Sequence, residues 1–401
     1  MGAERKFLKA GRTKAARAPT GETKSGACKT YTELLYPFWK KGYSLRPSRR
    51  LRTPAVPEIT LATQTTFAEL LQRCLDAEFD ETFGERGRFV RVRSGGRTYW
   101  HYRVAENGNR KQIYVGPYAD ASITDRVKRF AEIKSDFKER QELVRALVAA
   151  GLPTPDPISA SVVEAMWKAG FFRLRGVLVG TVAFQAYAGP LGLKLRGRPL
   201  QTQDTDFAQF WGVSQNIGES MPPVLEVLRG VDETFREIPN MNDPLVSTRY
   251  RNAQKYVVDM LVPNRGSDIH QGKPAKMKAL GGGGAQPLRH LDFLIYQPER
   301  SVLLSGGGIP VTVPRAERFA VHKLIVAASR ADQVKAAKDV DQADILIRAL
   351  ATKRPVELAK AWDTAWRSGP RWREKLEAGR ERLPLEAREA LEGGREKARV
   401  K

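Results

Sequence analysis

The sequence predicts an α+β fold, in which a small mixed sheet with flanking helices is preceded by a β-meander and a helix and followed by a helical subdomain. Three observations predict it. Residues 88–115 alternate apolar and polar side chains around an Asn-Gly pair at 107–108, a strong hairpin signal. The apolar run 174–179 breaks at Gly180-Thr181 and passes into a helical pattern. From Glu317 onward, apolar residues recur at helical spacing.

Length and composition restrict the class of protein. The 401 residues, 41% of them hydrophobic, suffice for a buried core and predict two or three domains. No apolar run approaches the roughly 20 residues that span a bilayer, so no membrane segment is predicted. Only Cys28 and Cys74 are present and the four histidines are scattered, which excludes a disulfide framework and a zinc cluster. A reducing cytoplasm is the expected compartment.

The charge is strongly positive and much of it is at the start of the chain. The net charge is +23, a surplus that commonly marks a protein that binds nucleic acid or another polyanion. Residues 1–57 contain fourteen Lys or Arg against three Glu, with much Gly, Ser, Thr and Pro and no helical periodicity. We predict a disordered basic arm there. A solvated tail, a nucleic-acid-binding arm, an organelle transit peptide and a start codon placed too far upstream all remain open.

Four parts are expected along the chain. After the arm (1–57), residues 58–155 hold an amphipathic helix, the three-stranded meander and a long helix that begins at Ser122 or Thr124 and runs to about Ala150. A proline cluster at 151–157 then ends that helix and marks the clearest boundary. Residues 156–314 form the core, with a first helix starting at Ser159 or Ser161, and 315–401 form the helical subdomain.

The centre of the meander alternates aromatic and basic residues. In Tyr99-Trp100-His101-Tyr102-Arg103, the aromatic side chains are either a base-stacking platform or, for Trp100 and Tyr102, part of a core.

Asp204 and Asp206 are the most informative residues. Side chains two positions apart on a strand share a face, so these carboxylates project together beside the Gly180-Thr181 turn. Two such carboxylates repel unless a divalent cation lies between them, and hard carboxylate oxygens suit Mg²⁺ or Mn²⁺. A Gly-Thr turn at a helix start offers free N–H groups and a hydroxyl, which suit a phosphate.

This combination resembles the nucleotidyltransferase fold of the polymerase β-like enzymes. Their signature is Gly-Ser, a helix, a spacer, an Asp-x-Asp pair and a third carboxylate on a later strand. Here Thr181 replaces the commoner Ser, which keeps the hydroxyl and adds a methyl group. A bacterial branch, the GSU2403-like proteins, is more similar still, through residues 314–326 (PRAERFAVHKLIV), Arg330 and Lys338-Asp339. The resemblance runs from about residue 65 to the C-terminal helices.

The third carboxylate has two candidates. Asp259 lies in the β-rich run 255–263, which proline ends. Asp292 lies in 291–295, which suits a strand or a helix. We prefer Asp259, because its strand is the one expected next to the Asp-x-Asp strand.

The resemblance implies an enzyme that moves an NMP group from an NTP such as ATP to an acceptor hydroxyl, on RNA or protein. It implies that Asp204, Asp206 and Asp259 are catalytic and hold Mg²⁺ or Mn²⁺, and that Gly180 and Thr181 hold the phosphates. Lys323 lies near the triphosphate in similar transferases; a structural ion pair is the alternative. A nucleic-acid-binding protein with little catalysis and a toxin-like regulator are the competing functions.

Other residues of the C-terminal part have structural interpretations. We expect His322 to be a hydrogen-bonded packing residue, and Asp339 and Asp341 to be helix-start acids that oppose the macrodipole. Trp362, Trp366 and Trp372 are expected to be packing anchors. The glycine runs at 281–284 and 306–308 are not followed by Lys-Ser or Lys-Thr, which disfavours a P-loop kinase.

Overall fold

A computed structural model describes residues 56–83, 87–106, 109–130, 137–197, 200–243, 245–264 and 273–399. The predicted basic arm lies outside the described residues except for its last two positions. The helices are α1 (Leu61–Thr82), α2 (Ala121–Lys128), α3 (Phe137–Ala149), α4 (Pro157–Lys168), α5 (Gly180–Gln185), α6 (Ala188–Leu191), α7 (Trp211–Asn216), α8 (Val224–Arg229), α9 (Leu291–Leu294), α10 (Ala316–Ser329), α11 (Gln333–Lys353), α12 (Pro355–Arg367), α13 (Pro370–Glu381) and α14 (Leu385–Arg399). The strands are β1 (Arg88–Ser94), β2 (Arg97–Glu106), β3 (Asn109–Pro117), β4 (Val177–Val179), β5 (Asp204–Ala208), β6 (Arg236–Ile238), β7 (Arg249–Arg251), β8 (Val257–Pro263), β9 (Ala275–Lys276), β10 (Gly284–Leu288), β11 (Glu299–Leu303) and β12 (Ile309–Val313).

The predicted meander is confirmed. Strands β1, β2 and β3 form an antiparallel sheet in that order. Tyr102 packs into a small aromatic cluster with Phe79 and Phe83 of the α1 end and with Phe89 of β1. Trp100 shares that face and donates a hydrogen bond from Nε1 to the Thr124 hydroxyl at 2.8 Å. These two side chains therefore belong to a core rather than to a base-stacking platform.

The single long helix predicted from Ser122 or Thr124 to Ala150 is wrong. The described residues there form two helices, and the cap of α2 lies two or four residues before the predicted caps, Ser122 and Thr124. This cap is Asp120, whose carboxylate accepts the N–H groups of Ser122 and Ile123 at 3.0 and 3.3 Å. Thr124 lies inside α2, where its hydroxyl donates to the Tyr118 carbonyl and accepts from Trp100 Nε1, each at 2.8 Å, so it does not cap the helix.

The core sheet is mixed, as predicted. Its strand order is β4-β5-β8-β10-β9, and β7 pairs with both β8 and β6. Strand β4 runs antiparallel to β5, whereas β5 and β10 run parallel to β8. This register sets Val179 opposite Asp206 and Asp206 opposite Asp259. Three strands from separate stretches of the chain thus meet at the Asp-x-Asp pair.

The helix before β4 also begins earlier than predicted. Pro157 occupies its first turn and Asp156 caps it, accepting the Ser159 N–H at 3.0 Å. The Ser159 hydroxyl is bonded to Asp156 and to the Tyr256 hydroxyl, each at 2.5 Å, so it contributes to packing.

The C-terminal part is helical, as predicted, and packs against the sheet. Phe319, Leu324 and Ala327 of α10 are fully or almost fully buried, which confirms the expected core stripe. Trp362 is only 1% exposed and is a packing anchor. All described residues belong to one compact unit, and the division at 155 and 314 stays a prediction. Along the described ranges, no helix is long and apolar enough to cross a membrane.

Candidate active site

The Asp-x-Asp pair lies at the start of β5. Asp204 and Asp206 are partly buried, and the intervening Thr205 is completely buried on the other face of the strand. The Thr202 hydroxyl donates a hydrogen bond to Asp204 Oδ1. The alternation confirms that the two carboxylates share a face.

Gly180 brings the backbone up against this pair. It has φ of +72°, a left-handed conformation that glycine adopts without strain, and a Cβ at this position would collide with Asp206 Oδ2. Thr181, the next residue, is 5% exposed, and its Oγ1 lies 3.5 Å from Gln342 Nε2. The Gly-Thr turn therefore lies beside the carboxylates, and only glycine fits at its first position.

The charges at the site repel one another. Burial, together with the neighbouring Asp204 and Asp259 carboxylates, raises the pKa of Asp206 to about 7, although Lys323 and Arg330 act in the opposite direction. An acid with such a pKa is only partly ionised at neutral pH. A cation bound beside it would favour the ionised form and relieve the repulsion.

Asp259 lies on the neighbouring strand, and Arg249 pairs with it. Arg249 is directly opposite Asp259 on β7, and its Nε and Nη2 lie 2.5 and 3.0 Å from the two carboxylate oxygens. Sequence reasoning missed Arg249, whose position opposite Asp259 depends on the register between β7 and β8. The other candidate, Asp292, is exposed on the short helix α9 and does not line the cavity described below.

Asp204 and Asp206 fit a hard divalent cation, whereas the third carboxylate, Asp259, is paired with Arg249. Within the described ranges, no three His, Cys, Asp or Glu side chains are grouped closely enough to enclose a metal ion. Asp204 and Asp206 supply carboxylate oxygens, which suit Mg²⁺ or Mn²⁺. Asp259 could join them only if its carboxylate turned away from Arg249.

A cavity of about 390 Å³ opens over Gly180, Thr181, Asp204 and Asp206. Its lining is also rich in cationic side chains: Arg289, Lys323, Arg330, Lys335, Lys338 and Lys375. An arrangement of two carboxylates and several cations around one cavity suits a polyanion that arrives with a divalent metal.

Lys323 makes a structural ion pair and also lines the cavity. Its Nζ lies 2.6 Å from Asp339 Oδ1, and Arg330 Nη1 lies 3.1 Å from Asp339 Oδ2. Asp339 is completely buried in α11, which begins at Gln333 behind the cap Asp332. The interpretation of Asp339 as a helix-start acid is therefore wrong, because it lies beyond the first turn and pairs with two cations.

Two histidines line the same cavity as neutral rings. Burial, with the Lys323 charge, lowers the pKa of His322 to about 3, and burial with Lys375 lowers that of His290 to about 4. No hydrogen bond of the His322 ring is found among the described residues, in contrast to the expectation. His290, which the sequence reasoning missed, packs edge-on against Trp372 with ring centroids 4.3 Å apart. The lowered pKa values disfavour the imidazolium form of both rings near neutral pH.

Comparison with known proteins agrees with this geometry. A family model described as nucleotidyltransferase matches residues 158–367, which is just over half of the chain. The matched region contains the Gly-Thr turn, the Asp-x-Asp pair, Asp259 and all of α10. No curated protein matches the chain. From the matched region and the α+β fold, the chain belongs to this nucleotidyltransferase family, whose activity is transfer of a nucleotidyl group.

Proposed function

We propose that the chain transfers an NMP group from an NTP, with the help of a divalent metal, to an acceptor hydroxyl on RNA or protein. One observation carries the proposal. Asp204 and Asp206 share a face beside Gly180, with the pKa of Asp206 raised to about 7, and they line a single cavity together with several cationic side chains. That arrangement suits a metal-bound triphosphate better than it suits either partner alone.

Each carboxylate has a proposed role. Asp204 and Asp206 would hold Mg²⁺ or Mn²⁺, and such an ion supplies positive charge at the phosphates of the bound nucleotide. Asp259, opposite Asp206, would complete the site after exchanging Arg249 for the cation. Its carboxylate would then accept the proton of the acceptor hydroxyl.

The remaining residues would orient the nucleotide. The backbone at Gly180 and the Thr181 hydroxyl would contact the β- and γ-phosphates, a role supported by the place of both residues in the lining of the cavity. Lys323 would add positive charge next to them while Asp339 fixes its position. Fixed cations of this kind stabilise the charge that develops on the leaving pyrophosphate.

The family branch, the acceptor and the compartment can also be proposed. We place the chain in the GSU2403-like branch on the strength of residues 314–326, Arg330 and Lys338-Asp339. Its net charge of +23 favours RNA as the acceptor. Cys74 is buried as a free thiol, in keeping with a reducing cytoplasm.

Incorporation of label from each α-labelled NTP with Mg²⁺, using total RNA and total protein as acceptors, tests the proposal. We expect label to enter one acceptor class, and Asp204→Asn, Asp206→Asn and Asp259→Asn each to reduce it by at least about 100-fold. Asp292→Asn is the matched control, because that carboxylate is exposed and lies outside the cavity.

Two outcomes would contradict it. Full activity of Asp259→Asn with loss in Asp292→Asn would overturn the third assignment and leave the other two. RNA binding by the wild type without incorporation from any NTP would favour the nucleic-acid-binding alternative.

A further inference from the structure

The cavity over Asp204 and Asp206 is called the transfer cavity below. A second, larger cavity of about 840 Å³ lies at the opposite end of β4 from it. Val177, the first residue of β4, lines it, whereas Val179, the last, lines the transfer cavity. The two cavities share no lining residue. The walls of the larger cavity come from the meander, the end of α1, the start of α2 and the segment after α9. Its volume is in the range of small-molecule sites.

The interior is aromatic. Four phenylalanine rings line it, together with two tyrosines: Phe79, Phe83, Phe172, Phe210, Tyr114 and Tyr296. Tyr296 is 49% exposed at the rim, and the other five are mostly or fully buried. Rings of this kind stack on planar groups and on the bases of nucleic acids.

Most of the charges that line the cavity are already paired. Arg126 contacts Asp76 at 2.7 Å, Arg173 forms a bidentate pair with Glu219, and Arg300 pairs with Glu78. The remaining acid in the lining is Asp120, which caps α2.

Two cations are left. Arg97 and Arg175 also line the cavity, both are exposed, and neither forms an ion pair within the part of the chain that the structure describes. Arg175 has φ of +66°, a left-handed conformation that is unfavourable for a non-glycine residue. A strained backbone of this kind is often found at binding sites.

Tyr114 provides a buried donor next to one of these cations, Arg175. It is 4% exposed, and its hydroxyl lies beside Arg175 without the geometry of a hydrogen bond to any described residue. Burial raises the pKa of Tyr114 to about 12, so the hydroxyl keeps its proton. A buried hydroxyl without a partner costs free energy that a ligand acceptor would recover.

We propose that this cavity is a second binding site, which takes a nucleobase carrying a phosphate group. The aromatic interior would stack on the base, and Arg97 and Arg175 would contact the phosphate while Tyr114 donates a hydrogen bond. The base and phosphate belong either to a free nucleotide or to a nucleotide within an RNA strand. The inference goes beyond the transfer reaction and does not depend on it.

Calorimetric titration of the full chain with AMP, with UMP and with the hexanucleotide r(A)6 tests the proposal. EDTA is present to keep divalent metal from the transfer site. We expect Arg97→Glu/Arg175→Glu to weaken nucleotide binding at least about tenfold, as expected for loss of charge-assisted contacts. Tyr114→Phe should weaken it severalfold and leave the fold intact.

Two matched double variants locate the bound nucleotide. Arg88→Glu/Arg93→Glu changes two exposed arginines of the same meander outside the cavity, and should leave the affinity within about twofold. Lys335→Glu/Lys338→Glu alters the transfer cavity by the same charge. It should also leave binding in EDTA nearly unchanged.

The outcomes distinguish a free nucleotide from an RNA strand, and the larger cavity from the transfer cavity. Tighter binding of r(A)6 than of AMP, lost in Arg97→Glu/Arg175→Glu, would assign an RNA strand; equal or tighter binding of AMP would assign a free nucleotide. Binding that falls in Lys335→Glu/Lys338→Glu instead would overturn the proposal and leave the transfer reaction standing. Binding of decanoate but of no nucleotide, or no binding up to about 5 mM, would also overturn it.

Discussion

The carboxyl group of Asp206 has Gly180 packed against it and two other carboxylates nearby on the sheet. Burial removes water that would stabilise its charge, and Asp204 and Asp259 oppose ionisation further. The native fold thus holds an acid in a place where its ionised form is unfavourable. A carboxyl group at such a position suits a cation-binding site, because a bound cation would stabilise its ionised form.

Asp206→Asn should remove a pH-dependent loss of stability in the metal-free protein. The folded pKa of about 7 is above the ordinary value of 3.8, so between those values the native state holds a proton that the unfolded chain has released. Stability from this group is therefore present at low pH and falls as the pH rises from about 4 to 7. The neutral amide lacks this dependence, and at pH 8 we expect a gain of about 1–2 kcal/mol in the free energy of unfolding. Urea unfolding from pH 5 to 8 in EDTA measures it.

The same two proteins give a second readout with ligand. Mg²⁺ and NTP should raise the thermal midpoint of the wild type by binding the native state, and should raise that of Asp206→Asn little or not at all. If Asp206 were only a hydrogen-bond acceptor, the variant would be less stable at every pH and would keep the full ligand shift.

Asp204 and Asp206 could be predicted from the sequence because their placement depends only on a local pattern. The two-residue period of a strand is enough to place Asp204 and Asp206 on one face. Arg249 and His290 could not be found in the same way, because their proximity depends on strand register and on a turn far along the chain. The backbone at His290 is left-handed, with φ of +65°, which apolar periodicity does not reveal.

Between α10 and α11, a buried ion pair joins the two helices behind the site. Asp339 is completely buried and Lys323 is 8% exposed, so loss of Asp339 leaves the Lys323 charge buried without this partner, and loss of Lys323 leaves Asp339 with Arg330 alone. Removing one partner of such a pair is far more costly than replacing both.

Asp339→Asn should therefore lower the free energy of unfolding by about 3–5 kcal/mol. Lys323→Met/Asp339→Asn should cost clearly less than the sum of the two single changes, and chemical denaturation of all four proteins gives the coupling energy. Asp363→Asn is the control, since its pair with Arg395 is 3.6 Å long and Asp363 is 47% exposed. Equal losses of unfolding free energy in Asp339→Asn and Asp363→Asn would show that the buried pair stabilises the fold no more than the exposed pair.

Helix starts show where element prediction was imprecise. Asp120, Asp156 and Asp332 each cap a helix, although serine or threonine residues two to five positions later offered equally acceptable caps for the first two. Asp, Ser and Thr have similar capping preference, so the sequence leaves the choice open. The backbone conformation and the competing bonds of Thr124 and Ser159 decide it.

At the scale of the whole molecule, the class of fold was predictable and the strand order was not. Alternation and helical spacing predict which segments are strands or helices. Pairing of β8 with β5 and β10 depends on long-range closure and crossover connections, which local patterns do not encode, whereas β7 and β8 are joined by a short connection. The three carboxylates could thus be named from the sequence, but the pairing of Arg249 with the third carboxylate is seen only in the folded sheet.

The distribution of charge over the whole chain leads to the last prediction. Residues 1–57 contribute +11 of the net +23, and little apolar surface. Pro57 belongs to the fold, because its carbonyl accepts the Lys194 N–H at 2.7 Å, so a clean deletion ends at residue 55. Deleting 1–55 should shift the thermal midpoint by less than about 2 °C, since a segment of this composition buries little on folding.

The same deletion should change RNA binding through counterion release. Each phosphate neutralised on single-stranded RNA contributes about 0.7 to the slope of log affinity against log salt, so losing four to six contacts should flatten the slope by about 3–4. A full-length variant with residues 1–55 in scrambled order keeps the charge and should keep the slope, because counterion release depends on how many phosphates are neutralised. Affinities measured from 50 to 300 mM salt compare the three proteins. A slope that is the same after deletion as before it would show that the arm does not contact RNA, and the net charge of the remaining residues would then have to account for any binding.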